Sequence, residues 1–394
     1  MKRILFITSF PFGDLTSGQG LILTQTIRWA GRLEGVRLSY ATFRVHARSL
    51  AALNQVRADS ALQPTFSVNA PQLGRREMLM SSLGWGGEGL GELATALKDA
   101  HKSYECVVWM GLPMDPAATR IPRLTRLPCF CYMVDSPGLH ASRRIDGPMG
   151  TVRYFLARRR ERAILAAGYR GVIYVTKEDV EFAFRLLPQS GGPALSVIPI
   201  GVDTNEWHPR SGGPRERDGT VLMFSGVMYY KPNVAAAQYL VESILPLINL
   251  PNLKVRIVGK DPLPEVWALA ERDLRVTVTG TVPDVLAELH NADVFVAPMQ
   301  NSAGIKIKLL QAMAVGLAVV ATPECATAFG SPPPGMLVGQ TPEQIAALIE
   351  RLLKNPDERR AQGSAGREFV LNGWSWSSRT QTLLEFVARE SDSE

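Results

Sequence analysis

The feature that most constrains this chain is an alternation. Short apolar runs rich in Val, Ile, Phe and Ala recur with helical patterns between them. Strands are expected at residues 3–8, 37–42, 106–110, 129–134, 171–176 and 196–199, and then at 220–224, 254–258, 275–279, 293–297 and 318–321. Helical periodicity falls at 21–33, 154–167, 234–248, 263–271, 285–291 and 305–315. Strands separated by helices pair in parallel, since a parallel neighbour requires a long crossover. The expected fold class is therefore α/β, with doubly wound sheets covered by helices on both faces.

A chain of 394 residues suggests two such domains. The break is visible at Ile200-Gly201-Val202-Asp203, where one alternation ends. Trp207-His208-Pro209 and a Gly/Arg/Pro-rich stretch at 210–219 follow and read as a linker. The expected domains are 1–203 and 204–375, with a helix in 376–394 packing back toward the first. From Trp374 onward no strand partner is expected, and 378–389 reads as an amphipathic helix. Ligands of doubly wound sheets bind beyond the carboxyl ends of the strands. Two Rossmann-like domains facing across a cleft would suit a donor and an acceptor.

Composition narrows the function. Hydrophobic residues make up 46% and charged residues 20%, as in ordinary globular proteins. The net charge of +6 suits an anionic ligand or an anionic membrane. Basic and aromatic residues do not interleave as in nucleic-acid binders, so no nucleic-acid partner is expected. No apolar run approaches the ~18 residues of a membrane span, and the N-terminus lacks a secretory pattern. A cytoplasmic protein, peripheral to the inner face of the membrane, is expected. The cysteines Cys106, Cys129, Cys131 and Cys325 have no metal-ligand spacing, and no metal is expected. Cys129 and Cys131 would share one strand face as core thiols.

One constellation concentrates chemistry. Ala303-Gly304-Ile305-Lys306-Ile307-Lys308-Leu309-Leu310-Gln311-Ala312-Met313-Ala314-Val315-Gly316 follows a strand and a short polar loop. Gly304 is expected to open the helix. Amides at a helix start have no intrahelical acceptor, and a glycine lets an anion approach them. Lys306 and Lys308 in a first turn oppose the helix dipole unless something negative lies nearby. Lys308 and Gln311 share a face, so one can meet a phosphate and the other a hydroxyl one turn on. A solvated helix end is the competing reading.

This segment, with the strand Ala318-Val319-Val320-Ala321 after it, resembles the family-four retaining glycosyltransferases of the GT-B fold. Other pieces occur in the family's order. Val197-Ile198-Pro199-Ile200-Gly201-Val202-Asp203 is similar to its inter-domain junction. Phe224-Ser225-Gly226 with Lys231-Pro232-Asn233, then Val258-Gly259, then Val278-Thr279-Gly280-Thr281-Val282-Pro283 are similar to its donor-domain turns. Ala292-Asp293-Val294-Phe295-Val296-Ala297-Pro298 is similar to the strand before the site. Met133-Val134-Asp135-Ser136 before an Arg-rich helix is similar to a bacterial subgroup linked to exopolysaccharide clusters. The resemblance covers about residues 170–321.

The resemblance implies hexosyl transfer from a nucleotide diphosphate-sugar to a hydroxyl of a glycan, lipid-linked sugar or small molecule. It implies retention at the anomeric carbon, and neither a metal nor another cofactor. The donor contacts it implies are Ala303, Gly304, Ile305, Lys306, Lys308, Gln311, Gly226, Lys231 and Gly259, with the base near Gly280, Thr281 and Val282. Gly18, Gln19 and Gly20, in the loop after the first strand, would let the backbone approach the donor phosphate. The chain also departs from the pattern. Ala303 and Gln311 stand where the family has two glutamates, Ile200 replaces the junction asparagine, and Val227 replaces an arginine. Gln311 can still bond ribose hydroxyls through its amide. These departures leave open a second reading, a catalytically weak protein that binds a sugar nucleotide or a partner transferase.

Asp135 and His140 follow the 129–134 strand, where a carboxylate or imidazole can orient or deprotonate an acceptor hydroxyl. Asp135 is the first candidate and His140 the second. A helix cap and an exposed loop residue are the plain alternatives. Between Arg143 and Arg162, seven arginines flank apolar residues on one expected helix. An anionic membrane contact and a solvated basic face both fit.

Overall fold

The computed structural model describes residues 2–8, 18–32, 36–43, 66–68, 89–111, 113–143, 145–189, 191–211, 219–300 and 305–392. The chain divides into two compact units. One is Met1–Ile200 with Trp376–Glu394, and the other is Gly201–Ser375.

The first unit holds β1 (Lys2–Thr8), β2 (Val36–Phe43), β3 (Phe66–Val68), β4 (Cys106–Met110), β5 (Cys129–Tyr132), β6 (Gly171–Tyr174) and β7 (Ala194–Val197). They form a seven-stranded sheet in the order β3-β2-β1-β4-β5-β6-β7. The second unit holds β8 (Thr220–Ser225), β9 (Leu253–Val258), β10 (Val276–Gly280), β11 (Val294–Ala297), β12 (Ala318–Ala321) and β13 (Met336–Val338). Their order is β10-β9-β8-β11-β12-β13. Every pairing in both sheets is parallel. Each residue of β4, β5, β6, β11 and β12 is buried, which is why these strands read as continuous apolar runs. Cys129 and Cys131 lie in this core, and burial pushes the Cys129 thiol up to about 12.

The helices of the first unit are α1 (Gly18–Ala30), α2 (Leu90–Lys98), α3 (Ile121–Leu124), α4 (Pro137–Ser142), α5 (Gly147–Leu165) and α6 (Lys177–Phe184). The second carries α7 (Lys231–Tyr239), α8 (Pro264–Arg272), α9 (Val285–His290), α10 (Ile307–Ala314), α11 (Pro323–Thr327), α12 (Pro342–Lys354) and α13 (Pro356–Leu371). The last helix, α14 (Trp376–Asp392), returns to the first unit and packs on α1. Its Phe386 meets Phe130 edge-on, with ring centroids 6.1 Å apart.

The tail adds no strand, but Ser375 forms an isolated parallel bridge with Val202, whose N–H bonds Trp374 O at 2.9 Å, tying the two ends of the second unit together. Two expectations are corrected. The helix expected over 234–248 starts at Lys231 and leaves α-geometry after Tyr239, passing into a π turn and then a 3₁₀ turn at Leu245–Leu247. Pro246 has no N–H for an α-helical bond, and Arg275 caps the Leu245 and Ile248 carbonyls at 3.1 and 3.0 Å. Gly304 lies outside the described residues, and α10 begins at Ile307 with Lys306 as its N-cap.

Candidate functional site

Both sheets reverse their strand order once, between β1 and β4 and between β8 and β11. At such a point the flanking crossovers leave on opposite faces and open a crevice beyond the strand ends. In the second unit the turn after β8 and the start of α10 flank it.

The sequence explains how α10 is held. Its apolar side, Leu309, Leu310, Ala312 and Met313, is buried. It stops in a paired C-terminal turn, with Gly316 N–H bonding Met313 O and Leu317 N–H bonding Ala312 O, both at 3.0 Å. Gly316 sits at φ +80, a conformation that any residue with a Cβ resists. The first turn of α10 begins at the crevice; of its amides, Leu309 N–H already bonds Lys306 O at 2.9 Å.

Lys308 is the pivot. Its Nζ donates to Asn233 Oδ1 at 2.8 Å and lies 4.5 Å from the centre of the Phe224 ring. Asn233 is fixed in turn, donating from Nδ2 to Val227 O at 3.0 Å. Burial pushes the Lys308 ammonium down to about 7; Cys325 opposes this and Lys306 adds to it. No carboxylate contacts Lys308 among the described residues. A cation held by a neutral amide and a ring face is poised to gain from an anion.

The glycines set the floor. Gly226 N–H bonds Val258 O at 3.0 Å, and Gly259 N–H bonds Gly280 O at 3.2 Å. A Cβ at Gly259 would lie 1.6 Å from Gly226 O, so only glycine permits this approach. A Cβ at Gly226 would lie 2.9 Å from Lys308 Nζ. Gly226, Gly259 and Gly280 therefore form a glycine ledge across the ends of β8, β9 and β10, with the Asn233 and Lys308 side chains over Gly226.

The remaining expected residues are placed as follows. Ile305, Lys306 and Gln311 are half-buried around the start of α10, and Ala303 lies outside the described residues with Gly304. Lys231 is exposed at the first position of α7, and it is Asn233 from that turn that reaches Lys308. Thr281 is exposed and Val282 half-buried just past β10. Gly18, Gln19 and Gly20 are not a loop: they form the first turn of α1. Among the described residues no group of three or more His, Cys, Asp or Glu is placed to hold a metal.

In the first unit the end of β5 is held from below. Ser136 caps α4, its Oγ accepting from Leu139 N–H at 3.1 Å. Glu161, fully buried, accepts from Ser136 Oγ at 2.8 Å, Gly138 N–H at 3.0 Å and Tyr174 OH at 2.8 Å. Asp179 accepts from Ser136 N–H at 3.0 Å and from the Thr176 hydroxyl. Burial raises both carboxyls above their usual range, with these donors opposing it. The clamped corner leaves Asp135 exposed directly before the cap, and His140 exposed within α4. Glu161 and Asp179 were not anticipated. Glu161 sits among arginines in the sequence, but it is three and four residues from the core residues Ile164 and Leu165, a spacing that puts it on the inner face.

The same geometry divides the arginines of α5. Arg160 is buried, donating from Nε to Pro113 O at 2.9 Å and from a terminal nitrogen to Asp115 O at 2.5 Å, so it belongs to the core. Arg143 pairs with Glu178. Arg153, Arg158, Arg159 and Arg162 are exposed, as are Met149 at 65%, Val152 at 49% and Phe155 at 58%. No helix among the described residues is long and apolar enough to cross a membrane.

Comparison with known proteins agrees with this architecture. Residues 219–355 match the family model described as "Glycosyl transferases group 1". The two-sheet fold is that of GT-B glycosyltransferase structures. Sucrose-phosphate synthase from Thermosynechococcus elongatus superposes with a TM-score of 0.69 at 16% identity, covering 99% of each chain. Alr3699/HepE from Anabaena, in complex with UDP and glucose, superposes at 0.67 and 15% identity, covering 98% of this chain and 100% of that one. Among characterised relatives, a GDP-mannose-dependent alpha-(1-6)-phosphatidylinositol monomannoside mannosyltransferase of Mycobacterium tuberculosis is 29% identical over 227 residues. That match spans 50% of this chain and 57% of the relative.

Proposed function

We propose that this protein transfers a sugar from a nucleotide diphosphate-sugar to an acceptor hydroxyl, with the diphosphate held at Lys308 and the first turn of α10. The observation that carries this reading is Lys308 itself, a cation without a carboxylate partner among the described residues, at the head of the glycine ledge and inside the segment matching the glycosyl transferases group 1 model. The mycobacterial relative is GDP-mannose-dependent by name, and the HepE structure holds UDP, so GDP- and UDP-sugars are the donors to test first. Gln311 would meet the ribose. Retention and independence of metal belong to the same proposal, since a cation and helix amides can stabilise the leaving diphosphate. The acceptor, a glycan or lipid-linked sugar, would lie in the first unit near Asp135. The exposed face of α5 supports a peripheral contact with anionic lipid, apolar residues entering the interface and arginines meeting headgroups.

Ala303 and Gln311, in place of two glutamates, favour a second reading as a nucleotide-sugar-binding subunit without transfer. Donor hydrolysis and transfer should be assayed over a panel of GDP- and UDP-sugars, with and without EDTA, on anionic vesicles carrying lipid-linked glycan acceptors. Transfer that survives EDTA is expected. Nucleotide binding without turnover on any acceptor would replace the enzyme reading with the second one.

A further inference from the structure

Beyond Lys308, the glycine ledge leads somewhere. It crosses two strand spacings, about 10 Å, from Gly226 just past β8 to Gly280 at the end of β10. At its far end stands Trp267, in the first turns of α8, the helix that follows β9. Helices leaving a strand's carboxyl end begin at the same rim as the ligand crevice, so the start of α8 and the end of β10 meet there.

Trp267 is 45% exposed, although its neighbours Val266 and Leu269 are fully buried under the same helix. Its indole edge rests on the ledge: a Cβ built at Gly280 would lie 3.4 Å from Cη2 and 3.5 Å from Cζ2. Gly280 is at φ +67, and the β9–β10 register shifts between Val278 and Gly280. Bulges of this kind re-aim a strand end next to a site. Two other aromatic side chains, Tyr229 and Tyr230, are exposed after β8; Trp267 is the side chain nearest a Cβ built at Gly280. The result is a glycine ledge with a half-exposed aromatic side chain over its buried Gly280 end and a cation at the other.

We propose that Trp267 is the platform on which the donor's nucleobase stacks, and so a residue that sets the donor site's affinity for nucleotides over pyrophosphate. The inference rests on the proposed function. A diphosphate at Lys308 and a ribose over Gly226 and Gly259 bring the base to Gly280, where the exposed indole covers one π-face. Base–aromatic stacking contributes about 1–3 kcal/mol per base on truncation to alanine.

The test is calorimetric titration of the wild type, Trp267→Phe and Trp267→Ala with GDP, UDP and inorganic pyrophosphate, with tryptophan fluorescence followed in parallel. Trp267→Ala is expected to weaken nucleoside diphosphate binding about tenfold or more and leave pyrophosphate binding unchanged, with Trp267→Phe close to wild type. Quenching on nucleotide addition should be smaller in Trp267→Phe than in the wild type. Equal weakening of pyrophosphate and nucleotide, or no effect on either, overturns the platform while leaving the donor site intact. A wild type that binds neither GDP nor UDP overturns the platform and the functional reading together.

Discussion

Two ionisable side chains sit near the strand ends of the two sheets, and their surroundings differ instructively. Glu161 in the first unit is fully buried and accepts three hydrogen bonds from neutral donors. Lys308 in the second has three N–H donors, and among the described residues its side chain meets one oxygen acceptor and one ring face. Glu161 closes its surroundings, because three of its roughly four acceptor sites are spent on its own chain. Lys308 leaves capacity facing the crevice. Burial acts on both in the direction that favours the neutral form, so the shift alone does not distinguish a structural group from a binding group. The count of satisfied partners does.

The comparison can be broken by substitution. The largest expected effect is Glu161→Ala, which strips the acceptor from Ser136, Gly138 and Tyr174. A loss of about 3–5 kcal/mol in urea unfolding of the first unit is expected, with Glu161→Gln losing less. If Glu161→Ala is neutral to stability, Glu161 is not the clamp and its corner is free for another role. Next is Lys308→Ala, expected to weaken GDP or UDP binding by about 100-fold, or ~3 kcal/mol, while nucleoside binding hardly changes. Equal weakening of both would remove the phosphate role.

The smallest effect sharpens the contrast through pH. An anion favours the charged amine, so nucleotide diphosphate affinity should be full below the ammonium's value of about 7. Affinity should then fall as pH rises through that value, by about tenfold per unit, until the bound-state value is reached. Titration between about pH 7.5 and 9, where the phosphates are already ionised, reads this slope. A flat profile would mean the amine is charged in the empty site.

Local pattern made much of the second unit legible. The expected strands at 220–224, 254–258 and 318–321 match β8, β9 and β12 to within a residue at each end, because β8 and β12 carry apolar runs and β9 alternates apolar with charged positions. The short edge strands Phe66–Val68 and Met336–Val338 escaped, since three residues carry no periodic signal. So did the helical start of α1, where Gly18 and Gly20 read as loop. The motif at Ala303–Gly316 located α10 and its stop, because a helix end and its glycine are written in adjacent positions.

What the sequence determined by itself was therefore the class of fold, the placement of its central strands and the segment in which Lys308 lies. What only the tertiary structure decided was which groups meet. Asn233 comes to Lys308 from 75 positions away, Tyr174 to Glu161 from 13, and the Trp267 ring to the Gly280 backbone from another helix. Periodicity reports which face of an element is buried. It does not report which distant side chain completes a hydrogen bond there, because that depends on strand order and helix placement, which are set only when the sheet assembles.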